Sequence, residues 1–434
     1  MLKKIEKIYD EKVINWFYIL LPLVEVMTTY MVLHCNTSIT VGVVYKTLYL
    51  GYCIGYLVFF DKEKRALTLS VLGLFLVSTV INFFVTIDNY SLSTIVNKLS
   101  DISKYLIFPI SMLFLYKYTV NGNKLHLKIL VYSASIYASI MIIAKLTGTE
   151  VPTYRGTSEY GHSGWFYSGN EVSALMGIFY PIVIYYAGKY KSKLMIYSLL
   201  SLTYGLMAIG TKTSFVVICL TIISMIIFEI AMYIKRRDEL SKNMLFTLFI
   251  LLVVLAASSP YSPSLKFITE RFEHAKAQTE AQQAENIEVT ITENFVFNGR
   301  TEYLKRQMET YSKLGFMEKT FGMNESSKLV YDDGTRCIVE RDMYDILFQY
   351  GIFGMIVYFI PVIFILVKFV IKVFSNFKVE CNEKNFIMAI SVALALGISY
   401  IAGHVLLAPT VALFLSVVMS KLNYEEDILP AGKN

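Results

Sequence analysis

The sequence predicts an all-α polytopic membrane protein of about 12 transmembrane helices, and three observations carry that prediction. First, 55% of the 434 residues are hydrophobic and 17% are charged, with a mean hydropathy of +0.52. Ordinary soluble domains carry about 25% charged residues. Second, uninterrupted apolar runs of roughly 20 residues recur, the length a helix needs to cross the hydrocarbon core. Third, Lys and Arg collect in alternate connections between the runs, as membrane topology distributes them. Repeated runs of this kind weigh against a large soluble helical protein. The net charge of +6 is spread over those short clusters, so no nucleic-acid partner is expected.

In chain order, spans are expected at roughly 14–33, 39–60, 66–87, 102–118, 125–146, 168–188, 193–210, 213–234, 244–259, 344–367, 384–402 and 404–420. Connections after even-numbered spans carry Lys62, Lys64 and Arg65, then Lys117, Lys124 and Lys128, then Lys189, Lys191 and Lys193. Lys235, Arg236, Arg237 and Lys242 follow, and then Lys368, Lys372, Lys378 and Lys384. Short connections after odd-numbered spans nearly lack them: Cys35-Asn36-Thr37-Ser38, Gly210-Thr211-Lys212 and Ala402-Gly403-His404. This alternation predicts a single multi-pass domain over 1–434 in the cytoplasmic cell membrane, with the N and C termini cytoplasmic. Lys3, Lys4, Lys7 and Lys12 precede the first span without a small-residue cleavage site, so it reads as a retained anchor. Two longer connections then face outward. One is a short extracytoplasmic loop, 147–167; the other is a large extracytoplasmic loop, 260–343, between helices 9 and 10.

The short loop contains Tyr154-Arg155-Gly156-Thr157-Ser158-Glu159-Tyr160-Gly161-His162-Ser163-Gly164-Trp165-Phe166-Tyr167. Its glycines permit tight turns, and its aromatics suit a membrane interface or the face of a sugar ring. Asn170 and Glu171 open span six, where they cap the helix or face a water-filled cavity. The large loop begins with Pro260 and Pro263, then a polar stretch, Thr269–Ala284, that reads as a solvated helix. A turn follows at Phe297-Asn298-Gly299-Arg300. Thr301–Leu314 then carries Tyr303, Leu304, Gln307, Met308 and Tyr311 at spacings of an amphipathic helix lying on the bundle. Asp332-Asp333-Gly334 marks a further turn.

Several chemistries find no support. A phosphate loop ending in Lys-Ser or Lys-Thr is missing, as is HExxH, and the five cysteines (Cys35, Cys53, Cys219, Cys337, Cys381) are scattered without metal-ligand spacing. No metal and no cofactor are therefore expected. Broken-helix half-repeats of a transporter and the arginine repeat of a voltage sensor are missing too. The charged residues of the outer side are more suggestive. Arg155, Lys212, Arg300, Arg336 and Arg341 stand on a face otherwise poor in cations. A solvated loop arginine needs no special reason, but arginine forks bind phosphate oxygens at two points. Glu340, Asp342 and Asp345 lie at the mouth of span ten. They are either acids favoured by the helix dipole, or one of them takes a proton from an acceptor hydroxyl. His162 and His404 lie on the same side, and Glu25 and Glu229 fall within spans.

These residues carry a resemblance. Gly164-Trp165-Phe166-Tyr167-Ser168-Gly169-Asn170-Glu171 resembles the Gly-Trp-Phe…Asn-Glu segment of Wzy-type polysaccharide polymerases of Gram-positive bacteria. Gly210-Thr211-Lys212-Thr213-Ser214 is similar to their short outer turn before span eight. Asn298-Gly299-Arg300-Thr301 and Phe321-Gly322 are similar to elements of their large loop. Glu340-Arg341-Asp342-Met343-Tyr344-Asp345, followed by Tyr350-Gly351-Ile352-Phe353-Gly354, resembles their acidic approach to span ten. The likeness runs from about Arg155 onward, and its wider superfamily includes the O-antigen ligases.

The resemblance implies a metal-independent, inverting glycosyltransferase. It would polymerise undecaprenyl-diphosphate-linked oligosaccharide repeat units into capsular polysaccharide or exopolysaccharide at the outer face of the membrane. The bilayer, a chain-length regulator and a flippase are implied partners. On this expectation Arg300, Glu340 and Asp342 are catalytic. Arg155, His162, Trp165, Asn170, Glu171, Lys212, Arg336 and Arg341 bind substrate. Ligases have a functional His near span ten where this chain has Glu340, which favours a polymerase. The alternatives are an O-antigen-ligase-like transfer of a finished glycan to another acceptor, a lipid-linked oligosaccharide transporter, and a membrane scaffold. A transporter calls for charge deep among its spans, whereas here charge concentrates in one outer loop.

Overall fold

A computed structural model of the chain describes residues 9–35, 37, 39–62, 64–87, 90–154, 157–190, 192–236, 242–284, 289–297, 300–327 and 339–423. Five long apolar helices come first: α1 (Glu11–His34), α2 (Val41–Phe59), α3 (Arg65–Thr86), α4 (Leu92–Val120) and α5 (Lys128–Thr147). A hairpin of β1 (Pro152–Tyr154) and β2 (Thr157–His162) follows. Next come α6 (Gly169–Tyr190), α7 (Lys193–Ala208), α8 (Lys212–Arg236) and α9 (Lys242–Ser258). The large loop folds as α10 (Pro263–Ala284), α11 (Ile291–Phe297), α12 (Arg300–Lys313) and α13 (Phe316–Phe321). The chain closes with α14 (Asp342–Ser375), α15 (Phe377–Glu380), α16 (Glu383–Ile401) and α17 (Pro409–Lys421).

A helix stands at every expected span. Ten of them are long and apolar enough to cross a membrane, while α7 and α17 are shorter apolar helices of 16 and 13 residues. Large apolar side chains such as Leu48, Leu76, Phe84, Phe246, Phe249 and Ile356 point outward from the bundle, as lipid contact allows and water does not. The centre is α6, which packs on α5, α7, α8, α9, α16 and α17. Tyr18, Tyr137, Phe179 and Phe414 meet there in one aromatic cluster.

Three departures from the sequence expectation shape the functional end. Helix α4 starts ten residues before the expected span, because Ser91 caps it and its first turns are polar; hydropathy does not see them. Helix α17 starts late, because residues 402–408 stay non-helical, their amides held elsewhere. The short loop, expected only as turns and aromatics, forms the antiparallel hairpin β1–β2. That hairpin lies on the turn before α8, where a Cβ at Gly210 (φ 78°) would fall 1.5 Å from the Tyr160 carbonyl oxygen; only glycine fits.

The expected amphipathic helix is α12. Leu304, Gln307 and Tyr311 face inward against Met323, Val339 and Phe348, whereas Met308 is exposed, one position off the buried stripe. Helix α14 breaks at Gly351 (φ 67°, ψ −178°). The end of α13 fills the break: a Cβ on Gly351 would stand 2.3 Å from the Thr320 carbonyl oxygen. Met323 N donates to Phe348 O (2.9 Å), and Asn82 Nδ2 of α3 donates to Gln349 O (2.8 Å), so lost helix bonds are replaced from outside.

Candidate active site between the two loops

The two long connections meet on one end of the bundle. Tyr154 of the hairpin stacks on Phe267 of α10 at 4.6 Å, and Arg271, one turn on, lies 5.0 Å over the same ring. Under this contact opens a cavity of about 540 Å³. Its roof carries Tyr154, Asn170, Lys212, Arg271 and Arg300, with no Asp or Glu among the described lining residues. Lys212 opens α8, so the positive end of the helix dipole adds to the three cations. Its amine donates to the Phe295 carbonyl and lies over that ring. The cavity continues between α8 and α16 as an apolar groove of Val216, Val217, Leu220, Leu394, Gly397 and Ile398.

Arg300 bridges this cavity to a second. Its guanidinium forms a two-point ion pair with Glu340 Oε2, with Nε at 3.1 Å. Glu340 lines an acidic cavity of about 370 Å³ together with Lys104, Glu171, Asp342, Asp345, Gln349 and His404. His404 Nε2 lies 3.9 Å from Glu340 Oε2, an ion-pair distance. The His404 imidazole holds the Glu340 carboxyl down at about 2, against the opposing cost of burial and with help from Arg300. Burial pushes His404 down, but Glu340 outweighs it and leaves the imidazole above its ordinary value. Of three described non-glycine residues with left-handed backbone, two are Glu340 (φ 56°) and His404 (φ 63°). Strain of this kind is held only where the surroundings over-determine it.

Asp342 provides that determination. Its carboxylate accepts from the amides of His404 (3.0 Å), Val405 (2.9 Å) and Leu406 (2.7 Å), fixing the 402–408 turn against the start of α14. Asp345 reaches back to the amides of Val339 (3.2 Å) and Arg341 (3.1 Å). Both acids are thus committed to backbone, which leaves Glu340, Glu171 and Asp101, itself paired with Lys104, as the other carboxylates of the acidic cavity. Glu171 follows the cap made by Ser168 (Glu171 N to Oγ 3.4 Å), which aims the first turn of α6 at the acidic cavity.

The structure brings Arg300, Glu340, Asp342, Asn170, Glu171 and Lys212 together at the junction of the two cavities. Others lie apart. Arg341 is buried among Phe297, Tyr344 and Tyr400 and donates to Tyr400 O (2.9 Å), so it is a packing arginine. His162 lines a separate cavity with Lys145, Glu150 and Tyr204, and burial holds its imidazole below the ordinary value. Trp165 donates to Thr149 Oγ1 (2.8 Å) away from the junction, whereas Phe166 and Tyr167 line an adjoining chamber. Arg155 and Arg336 lie outside the described residues. Of the members of the site, Arg271 went unmarked in the sequence, and His404 was noted there only as a histidine of the outer side. Arg271 carried a signal in its position four residues after Phe267, on one helix face. His404 carried only its place in a connection almost free of charge.

Twelve apolar helices among the described residues define a polytopic integral membrane protein. The chain belongs to the O-antigen ligase like membrane protein family, which it matches over residues 7–426. It is accordingly a multi-pass membrane enzyme of glycosyl transfer. No curated protein and no solved structure shows a significant similarity to it.

Proposed function

We propose that the protein polymerises undecaprenyl-diphosphate-linked repeat units into capsular polysaccharide or exopolysaccharide at the outer face of the cytoplasmic membrane. The observation that carries this reading is the pairing of cavities: cations over an apolar groove on one side, carboxylates on the other, with Arg300 between. A lipid diphosphate matches the first in both halves, its tail along α8 and α16 and its phosphates at Lys212, Arg271 and Arg300. The acceptor glycan approaches through the acidic cavity. Its hydroxyl oxygen bonds to the anomeric carbon, the bond from that carbon to the diphosphate oxygen breaks, and configuration inverts in one displacement. The hydroxyl proton passes to a carboxylate, and the cations hold the departing diphosphate. Metal is not required by these steps.

Glu340 is the proton acceptor in this scheme. Held by His404 and, to a lesser degree, by Arg300 it is a weak base, since its carboxyl sits at about 2. A diphosphate that claims Arg300 removes that part of the hold and raises the basicity of Glu340, so donor binding helps to arm the base. Asp342 is a positioning residue through its grip on the amides of 404–406. A chain-length regulator and a flippase are further partners of this reading.

The second reading is ligase-like transfer to a different acceptor, and His404 favours it. The sequence argument for a polymerase leaned on the want of a histidine near span ten. In the fold, His404 from the turn before α17 stands beside Glu340, so that argument does not separate the two. Incubating purified protein with lipid-linked repeat units tests the proposal. A ladder of products spaced by one unit is expected from the wild type. No ladder, or an undiminished one from Arg300→Ala, overturns it. Transfer only to an unrelated acceptor selects the ligase reading.

A further inference from the structure

Next to the acidic cavity lies a smaller chamber of about 220 Å³, set among α1, α2, α4, α5, α6 and α17. Glu171 and Lys104 line both spaces, so they mark the doorway. Charged and polar groups share its mainly apolar wall although it lies among membrane helices. Glu25 of α1 accepts from Lys46 (2.7 Å) and from Thr410 Oγ1 (2.7 Å), both at Oε1. Tyr137, 1% exposed, lines the chamber, and its buried hydroxyl has no hydrogen-bond partner among the described residues. An unmatched hydroxyl at membrane depth is costly, and a ligand that bonds to it relieves that cost.

The chemistry of the lining narrows the ligand. Two carboxylates, Glu25 and Glu171, face two amines, Lys46 and Lys104, so the chamber is formally neutral and does not favour an ion of either sign. It offers donors (Lys46, Tyr137) and acceptors (the two carboxylates) side by side, and the rings of Phe166 and Tyr167 in its wall. A ligand that both donates and accepts hydrogen bonds and has an apolar face fits such a lining. The volume equals that of about seven waters, the scale of one pyranose ring rather than a chain.

We propose that this chamber is the acceptor subsite, which takes the terminal sugar of the acceptor glycan and leaves the attacking hydroxyl at the Glu171 doorway. The inference rests on the glycosyl-transfer reading above and adds to it where the acceptor sits and which groups choose it. Glu25, Lys46 and Tyr137 are then specificity-determining residues, remote from the diphosphate.

The test uses the full-length protein in lipid nanodiscs with saturating lipid-linked donor. The acceptor is a repeat-unit oligosaccharide on a short alkyl aglycone, which lacks a diphosphate and so accepts but does not donate. If the wild type fails to extend it, the reading beneath the inference fails and the inference goes with it. Given extension, Tyr137→Phe is expected to raise the KM for this acceptor about fivefold at a kcat within about twofold of wild type. Its thermal stability should be equal or higher, because an unmatched buried hydroxyl is removed. The double variant Glu25→Gln, Lys46→Met should raise that KM by more than about tenfold. An unchanged acceptor KM in Tyr137→Phe, or a fall in kcat alone, overturns the subsite while the glycosyl-transfer reading stands. Tyr137→Phe decides the matter by itself if the double variant does not fold.

Discussion

The two cavities at the functional end differ in every property that a substrate feels. The one between α8 and α16 has a cationic roof over apolar walls. The one at the start of α14 is acidic and closely hydrogen-bonded to backbone. Binding in the first calls for charge complementarity and lipid; binding in the second calls for hydrogen-bond matching. They share no described lining residue, and the Arg300–Glu340 pair joins them. The lesson is that two substrates of the same chemical make-up, a donor and an acceptor each bearing sugars, are told apart by what surrounds the sugar.

The sharpest way to break the comparison is to remove its joint. Arg300→Ala should lower the transfer rate by about 100-fold or more, the scale for losing a cation that meets charge developing on a leaving group. A radiolabelled extension assay at saturating donor reads this, and Arg300→Lys should recover part of it. Next in size, Gly351→Ala forces a Cβ against the Thr320 carbonyl oxygen at 2.3 Å and puts alanine in a left-handed backbone. It should cost about 3 kcal/mol and be seen as a lowered melting temperature in detergent, with the acidic cavity affected more than the cationic one. Asp342→Asn should cost about 2 kcal/mol and speed hydrogen exchange at the amides of His404, Val405 and Leu406, leaving donor affinity nearly unchanged.

The pair Glu340–His404 gives a pH signature to the acidic side. Glu340 is held low, so its contribution is present above the ordinary carboxyl range and is lost as pH falls toward about 2. His404 is held high, so its contribution is full below the ordinary imidazole value and is lost as pH rises through the raised one. The stability difference between wild type and His404→Asn should therefore be largest between about pH 4.5 and 6.5 and shrink above, in melting curves taken across pH. The smallest effect belongs to Trp165→Phe, which removes one hydrogen bond to Thr149 away from both cavities. Donor and acceptor KM values should stay within about twofold of wild type.

The sequence made the membrane architecture legible, because hydropathy and the alternation of Lys and Arg are properties of single segments. A helix stands at each of the twelve expected spans. The polar first turns of α4 were not legible, since Ser100, Asp101 and Lys104 read as a loop until packing gives them a cavity to line. Arg300, Glu340 and Glu171 stood out by charge on a face poor in it, and the fold gathers them. The roles of Arg341 and His162 were not legible: charge marks a residue, but only neighbours decide whether it faces a ligand or three aromatic rings. The meeting of His404 with Glu340 joins segments far apart in sequence and depends on Asp342 holding the 404–406 amides, which no local pattern announces.

The break at Gly351 has a mechanical side. It divides α14 into a short rod, 342–350, bound to α13 and α3, and a long rod, 352–375, that contacts lipid. Bilayers that thicken or thin change the tilt of a spanning helix. A tilt of the long rod is taken up at the glycine, and the short rod, which carries Asp342 and Asp345, keeps its attachment to the loop. A lipid-facing rod and a site-bearing rod thus meet at one glycine.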